Sequence, residues 1–197
     1  MLAAPTVPDP GFGMYHVRLA RAQSNLFFLE RELDEELPLL IASGEGERLE
    51  FKSSLRWDRR ENRVNRSLQQ VVLKTVAGFL DHEGGTLLTG VGDDGSIIGI
   101  EADMQSLKHA NRDGFERLLM DLVKDGFGGH ECALVHCRFY EVTEKTVCRV
   151  IAERKADPVH FVEGGTARLM LRIGNGTREL DVRDAQAHLR NRTPGRA

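Results

Sequence analysis

Residues 44–58, GEGERLEFKSSLRWD, open a stretch that continues through SLQQVVLKTVAGFL (67–80) and closes with EGGTLLTGVGDDGSIIGI (83–100). It reads as strand, helix and hairpin. In the run from 48 to 53 a side-chain period of two sends Leu49 and Phe51 into a core and sets Glu50 and Lys52 together on the other face. Leu68, Val71, Val72, Thr75, Val76, Phe79 and Leu80 then keep helical spacing, Ser67 with Gln70 has the form of a capping box, and Gly84 with Gly85 ends the helix. Residues 86–91 and 96–100 flank Gly-Asp-Asp-Gly (92–95), a hairpin signal.

The chemistry of this stretch collects at its two ends. Glu45, Glu47, Glu50 and Lys52 lie at one edge, and Asp93 and Asp94 sit in the tight turn at the other. A carboxylate can hold a divalent cation while a neighbouring ammonium orients or polarises a water, a division of labour suited to a metal nuclease. The same glutamate and lysine, two apart on a strand, also read as a solvated ion pair, and the aspartates as plain turn chemistry. Glu45 stands five residues before Glu50, so it meets Glu50 only from the preceding loop.

A chain of 197 residues with 41% hydrophobic content supports one domain with an appendage. The formal charge of -3 excludes a protein coated in positive potential, so any nucleic-acid contact comes from a local patch. One exists: Lys52, Arg56, Arg59, Arg60, Arg63 and Arg66 stand against only Asp58 and Glu61. These are phosphate-gripping residues or a solvated loop, and Trp57 within them is a base-stacking ring or a core anchor. The glycines of GGTLLTG precede a strand and carry no Gly-Lys-Ser or Gly-Lys-Thr, which argues against a Walker-type ATPase.

Three cysteines suit reduced thiols. His130, Cys132, His136 and Cys137 match no standard zinc spacing and fall on a strand that scatters them over two faces, so no zinc is expected. With no run of eighteen apolar residues and no leader pattern, a cytoplasmic protein without a membrane partner is expected.

Upstream, residues 1–13 form a proline- and glycine-rich lead-in. Leu19, Leu26 and Leu33 then recur every seven residues, predicting a helix over 15–36 that docks on its own domain or pairs with a second copy. Downstream, Asp113 with Glu116 opens a helix whose apolar face is Phe115, Leu118, Leu119, Leu122 and Val123. Strands are expected at 132–142, 146–153 and 168–172, and His160 reads as a base or a partly buried ring. Residues 173–178 make a donor-rich turn flanked by Arg172 and Arg178, suited to a phosphate or to holding a last helix at 181–189. The fold expected is α+β, a mixed β-sheet with packed helices plus an N-terminal helix. It divides into an N-terminal extension (1–42), the main domain (43–190) and a basic tail (191–197).

GEGERLEFKSS (44–54), VVLKTVAGFLDHEGGTLLTGVGDDGSIIGIE (71–101) and LRIGNGTRELDVRDA (171–185) resemble, in order and spacing, the Schlafen AlbA_2 domain over roughly residues 43–190. In vertebrate schlafens the related domain is a divalent-metal-dependent endoribonuclease acting on tRNA and rRNA, with two glutamates and one aspartate as its acidic triad. The resemblance places those glutamates on Glu45 and Glu50. The commoner pattern has aspartate directly after the valine of the GGTLLTGV strand, where this chain has Gly92, so Asp93 and Asp94 are the two candidates for the third acid.

What the resemblance implies is an endoribonuclease holding Mg2+ or Mn2+ on Glu45, Glu50 and Asp93 or Asp94. Lys52 would stand near the water, and Arg56, Trp57, Arg59, Arg60, Arg63, Arg172 and Arg178 would hold tRNA-like RNA. The alternatives are a non-catalytic RNA- or DNA-binding module, which the Gly92 departure favours, and a nucleotide (ATP) binding or scaffold domain. A homodimer is expected, because vertebrate schlafens use two related lobes in one chain and no internal repeat is visible here.

Overall fold

Asn65, in extended backbone, starts helix α1 (Arg66–Leu80) by accepting a hydrogen bond from Ser67 N–H on its side chain. The cap is therefore Asn65, two residues before the expected Ser67. Val72, Leu73, Val76, Ala77, Phe79 and Leu80 of α1 are buried, and the helix closes at Asp81. An Asn65→Ala variant is expected to lose about 1 kcal/mol of stability, read from urea unfolding, because one orphan N–H loses its acceptor.

The structure is a computed structural model that describes residues 37–192. The chain separates into two compact units, residues 1–43 and 44–197. Of the first, the described part is the end of a helix, closed where Ser43 N–H donates to Leu39 O (3.0 Å) and Ser43 Oγ–H to Leu40 O (2.7 Å). The heptad-spaced leucines at 19, 26 and 33 and the end of the basic tail lie outside the described residues.

The second unit is built on a four-stranded mixed sheet of β1 (Leu49–Lys52), β4 (Gly85–Thr89), β5 (Val135–Val142) and β6 (Lys145–Ala152), in the order β1-β4-β6-β5. β1 runs parallel to β4 across the α1 crossover, and the other two pairings are antiparallel. Between β1 and α1, the short strands β2 (Trp57–Asp58) and β3 (Arg63–Val64) make a small antiparallel hairpin out of what the sequence presented as a loop. After β4 come α2 (Glu101–Gln105) and α3 (Arg112–Phe127), the latter capped by Asn111. A second antiparallel sheet, β7 (His160–Glu163), β8 (Thr166–Ile173) and β9 (Gly176–Glu179), precedes α4 (Val182–Arg192). This is the expected α+β class.

One core joins these parts. Val72, Val76 and Phe79 of α1 and Phe115, Leu119 and Val123 of α3 cluster with Leu87, Cys137, Cys148 and Val150 of the sheet and with Phe161 and Met170 of the smaller sheet. Each such side chain contributes roughly 1.5–3 kcal/mol on burial. Gly78 allows α1 to come close to β9: a Cβ there would stand 2.7 Å from Thr177 Cγ2.

The Gly-Asp-Asp-Gly turn forms, with Gly95 N–H donating to Gly92 O (2.8 Å), but its return arm is not a strand. It returns through one isolated bridge, Val91 with Ile97, and through backbone bonds from Gly92 N–H to Ser96 O (2.9 Å) and from Ile98 and Gly99 N–H to Gly90 O (2.8 and 2.9 Å). Both edges of β4 are already hydrogen-bonded, to β1 and to β6, and Gly90 and Gly99 adopt φ +91 and +82, so a third ladder has no edge to join. Among the described residues no helix is long and apolar enough to cross a membrane.

Candidate functional site

The alternation expected for β1 holds: Leu49 and Phe51 are buried while Glu50 and Lys52 are partly exposed. Glu50 sits on the rung of Leu87, at the rim of the helix-covered core. Its Oε1 accepts from Lys52 Nζ at 2.5 Å. Its Oε2 lies 2.7 Å from Arg172 Nη2, a charge contact without an aligned hydrogen bond, because that nitrogen donates to Gly46 O (2.5 Å) and Leu49 O (3.2 Å). Arg172 is 1% exposed and its guanidinium lies 5.1 Å from the centre of the Phe79 ring. Two cations thus flank one carboxylate.

Glu45 does come to the same edge from the preceding loop, but its Oε1 accepts from Phe51 N–H at 2.8 Å. Glu47 pairs with His82 at 2.8 Å. Asp93 and Asp94 are exposed in their turn, beyond the end of β4. There Asp94 Oδ1 accepts from Ser96 N–H (2.9 Å), and hydrogen bonding from Ser96 holds the Asp94 carboxyl below its ordinary value. Among the described residues no three His, Cys, Asp or Glu side chains gather as they would around a metal ion. Each acid of the expected triad has a separate engagement or faces solvent, and Glu50 already carries two positive neighbours. As placed, these residues do not fit a divalent cation.

The basic residues divide in two. Arg172, expected on phosphate, is buried and spent inside the fold, so it is closed to a ligand; Arg178 on β9 is exposed. Arg59, Arg60, Arg63 and Arg66 are exposed on and beside the β2–β3 hairpin, with Arg56 and Trp57 half-buried at its base. Asp58 shapes the tip, accepting from Arg60 N–H (3.0 Å), Glu61 N–H (3.1 Å) and Asn65 Nδ2 (3.0 Å). The Asn65 bond leads in holding the Asp58 carboxyl below its usual range. Asp58 is therefore committed to the backbone, and Glu61 pairs with Arg63 (Nε to Oε2, 2.6 Å). Of the five arginines between residues 56 and 66, four are exposed and the fifth, Arg56, is half-buried.

Of the four residues weighed against zinc, only His136 and Cys137 fall on β5: His136 is exposed and pairs with Glu153 (2.8 Å), whereas Cys137 points into the core. His130 and Cys132 precede the strand, Cys132 in a 3-10 turn over Glu131–Leu134 where a strand was expected. Burial pushes the neighbouring Cys148 thiol up, further raised by Cys137. His160 is exposed at the start of β7.

Sequence reasoning missed Asp103, on α2. It is 1% exposed and accepts from Ser54 Oγ (2.8 Å), Leu55 N–H (3.2 Å), Arg56 N–H (2.7 Å) and Trp57 N–H (2.9 Å). Burial raises its carboxyl above the ordinary range, against the pull of those bonds. A signal was present: Ile100, Asp103, Met104 and Leu107 share helical spacing, which places an acid in an apolar face.

Comparison with curated proteins finds no match. Among solved structures, the DIP2311 protein from Corynebacterium diphtheriae is similar in fold, with a TM-score of 0.54 at 18% identity over 84% of this chain. The match spans 33% of that protein, so the present chain corresponds to about a third of it. The family model described as Schlafen, AlbA_2 matches residues 45–181. It takes in the acidic edge, the arginine hairpin and Asp103, and points to a function related to nucleic acid. The chain belongs to the Schlafen AlbA_2 family.

Proposed function

We propose that this domain binds RNA or DNA through the phosphate backbone, with the β2–β3 hairpin as its contact arm, and does not cleave it with the acids at the β1 edge. The observation that carries the reading is the contrast between the two charge sets. Arg59, Arg60 and Arg63 are exposed on one short projection with Arg66 exposed beside it at the start of α1, while Glu50 is enclosed between Lys52 and Arg172. Exposed arginines on a hairpin can track phosphates and release counterions, a sequence-independent and salt-sensitive mode of binding. Trp57 at the base of the arm offers a ring to an unpaired base. A homodimer is part of the proposal, since a single lobe of this size offers little surface around a duplex; a monomer by light scattering at micromolar concentration would count against it.

The hydrolytic reading, an endoribonuclease dependent on Mg2+ or Mn2+ and acting on tRNA-like RNA, retains one favourable observation: Glu45 and Glu50 do share an edge. The deciding experiment incubates the full chain with total tRNA and with duplex DNA in Mn2+, Mg2+ or EDTA, beside Glu50→Gln and a triple Arg59→Ala, Arg60→Ala, Arg63→Ala variant. We expect intact nucleic acid and a salt-sensitive gel shift. The triple variant should weaken the shift and flatten the dependence of log affinity on log salt by about 2–3. Metal-dependent fragments that disappear in Glu50→Gln would replace binding by hydrolysis.

A further inference from the structure

We propose that Asp103 is the positioning residue of the nucleic-acid arm, its buried carboxylate fixing where the chain enters the hairpin and hence where the arginines meet phosphates. The inference rests on the nucleic-acid-binding reading above and adds to it a residue that touches no ligand.

The hairpin cannot orient itself. It has two rungs, Trp57 with Val64 and Asp58 with Arg63, and a ladder that short is marginal in water. Its direction is imposed at its two legs. The outgoing leg runs into α1 through the Asn65 cap, and Asn65 N–H donates to Arg56 O (2.8 Å) across the base. The incoming leg, residues 54–57, is held by Asp103. Oδ1 takes Ser54 Oγ–H and the N–H groups of Arg56 and Trp57, and Oδ2 takes Leu55 N–H. Ser54 Oγ lies in the same knot, 3.2 Å from Arg56 N and 2.7 Å from Trp57 N.

A buried carboxylate is costly unless its charge is compensated. Among the described residues Asp103 has no ion-pair partner; its compensation is three main-chain N–H groups and a hydroxyl, all from the strand-to-hairpin leg. The carboxylate therefore fixes the backbone conformation of the residues that carry Arg56 and Trp57. An arm ordered before binding loses less freedom on meeting its ligand than one that orders only then. With the carboxylate gone, the arginines keep their charge but lose their shared direction. The expected loss is roughly tenfold in affinity or more, with fewer phosphates engaged at once.

The test is fluorescence anisotropy of a fluorescein-labelled RNA hairpin against the full chain over a range of salt concentrations, with folding followed by circular dichroism. Asp103→Ala should bind about tenfold more weakly with a flatter salt dependence. Asp103→Asn keeps the Oδ1 position that takes three of the four bonds and should recover most of the affinity. Adding Asp103→Ala to the triple arginine variant should cost clearly less than it does in wild type, because the residue acts in large part through those three arginines, with only Arg56, Trp57 and Arg66 left for it to position. If Asp103→Ala does not fold, Ser54→Ala, which removes one of the donors, carries the test and should weaken binding while leaving the circular dichroism intact. A folded Asp103→Ala, or in its place Ser54→Ala, that binds with wild-type affinity and salt slope while the triple variant fails would reduce Asp103 to a tether for α2 and overturn the proposal. A wild-type chain that does not bind, or a triple variant that binds as well as wild type, would instead remove the nucleic-acid reading itself and this inference with it.

Discussion

Arg172→Met is expected to lower the stability of the domain by about 3–5 kcal/mol, the cost of leaving a buried charge with half its partners. Methionine keeps much of the arginine's length but removes the cation beside Glu50, the donor to Gly46 O and Leu49 O, and the charge over Phe79. Lys52 remains on Glu50, yet its side chain is 24% exposed and shares its charge with solvent. Urea unfolding at neutral pH measures the loss. Pairing it with Glu50→Gln should restore a substantial part, because the penalty comes from an uncompensated carboxylate more than from the missing contact itself. A loss under about 1 kcal/mol for the single variant would show that the Glu50 edge is wet and that Arg172 holds nothing there.

The second large effect is set by pH. Asp81, at the end of α1, is buried, and burial pushes its carboxyl from 3.8 up to about 7, against the opposing pull of the Val159 N–H bond (2.8 Å) and the charges of Arg192 and Lys155. Arg192 is nearly enclosed: it meets Asp81 Oδ1 at 3.1 Å and donates to the carbonyls of Leu80, Asp81, Lys155 and Ala156. α4 sets no apolar side chain in the core, so this arginine is a principal fastening of that helix. A folded carboxyl raised above its unfolded value adds stability that is complete below pH 3.8 and is lost as pH climbs through about 7. The full swing is on the order of 4 kcal/mol, reduced by whatever solvent relaxation the site allows.

His188, held below its ordinary value by burial and then by Arg192, works in the opposite sense: its contribution is present above pH 6.5 and declines as pH falls. The comparison of Asp81→Asn with wild type isolates the carboxyl. Thermal midpoints taken across this range should fall with rising pH more steeply in wild type than in the variant. Parallel curves would mean that Asp81 does not titrate in that window.

The parts of the fold that could be read from sequence are those whose cause is local. The β1 alternation and the α1 stripe depend on periods of 2 and 3.6 and hold in the structure. The turn at 92–95 is equally local, but whether residues 96–100 form a strand depends on β4 having a free edge, and β6, which takes that edge, lies some fifty residues later. The same distinction runs through the site. The arginine hairpin is legible because a basic run is a compositional fact. The fates of Glu50 and Arg172 are not, since each is fixed by a partner 122 positions away and an exposed arginine reads the same as a buried one. Asp103 shows the reverse case, an acid whose apolar neighbours announce burial while its four donors, at Ser54 to Trp57, give no local sign.

The bond from Arg172 to Gly46 joins residues 126 positions apart, and this has a consequence for how the protein is made. At 5–20 residues per second, the first strand emerges from the ribosome roughly 6–25 s before the arginine that closes its edge emerges. During that interval the carbonyls of Gly46 and Leu49 lack the guanidinium that later meets them, and Glu50 lacks its inner cation. An unfinished β edge can pair with another nascent chain. The acidic run at residues 45–50, with three glutamates in six positions, gives neighbouring nascent chains a shared negative charge at the edge that waits longest for its partner.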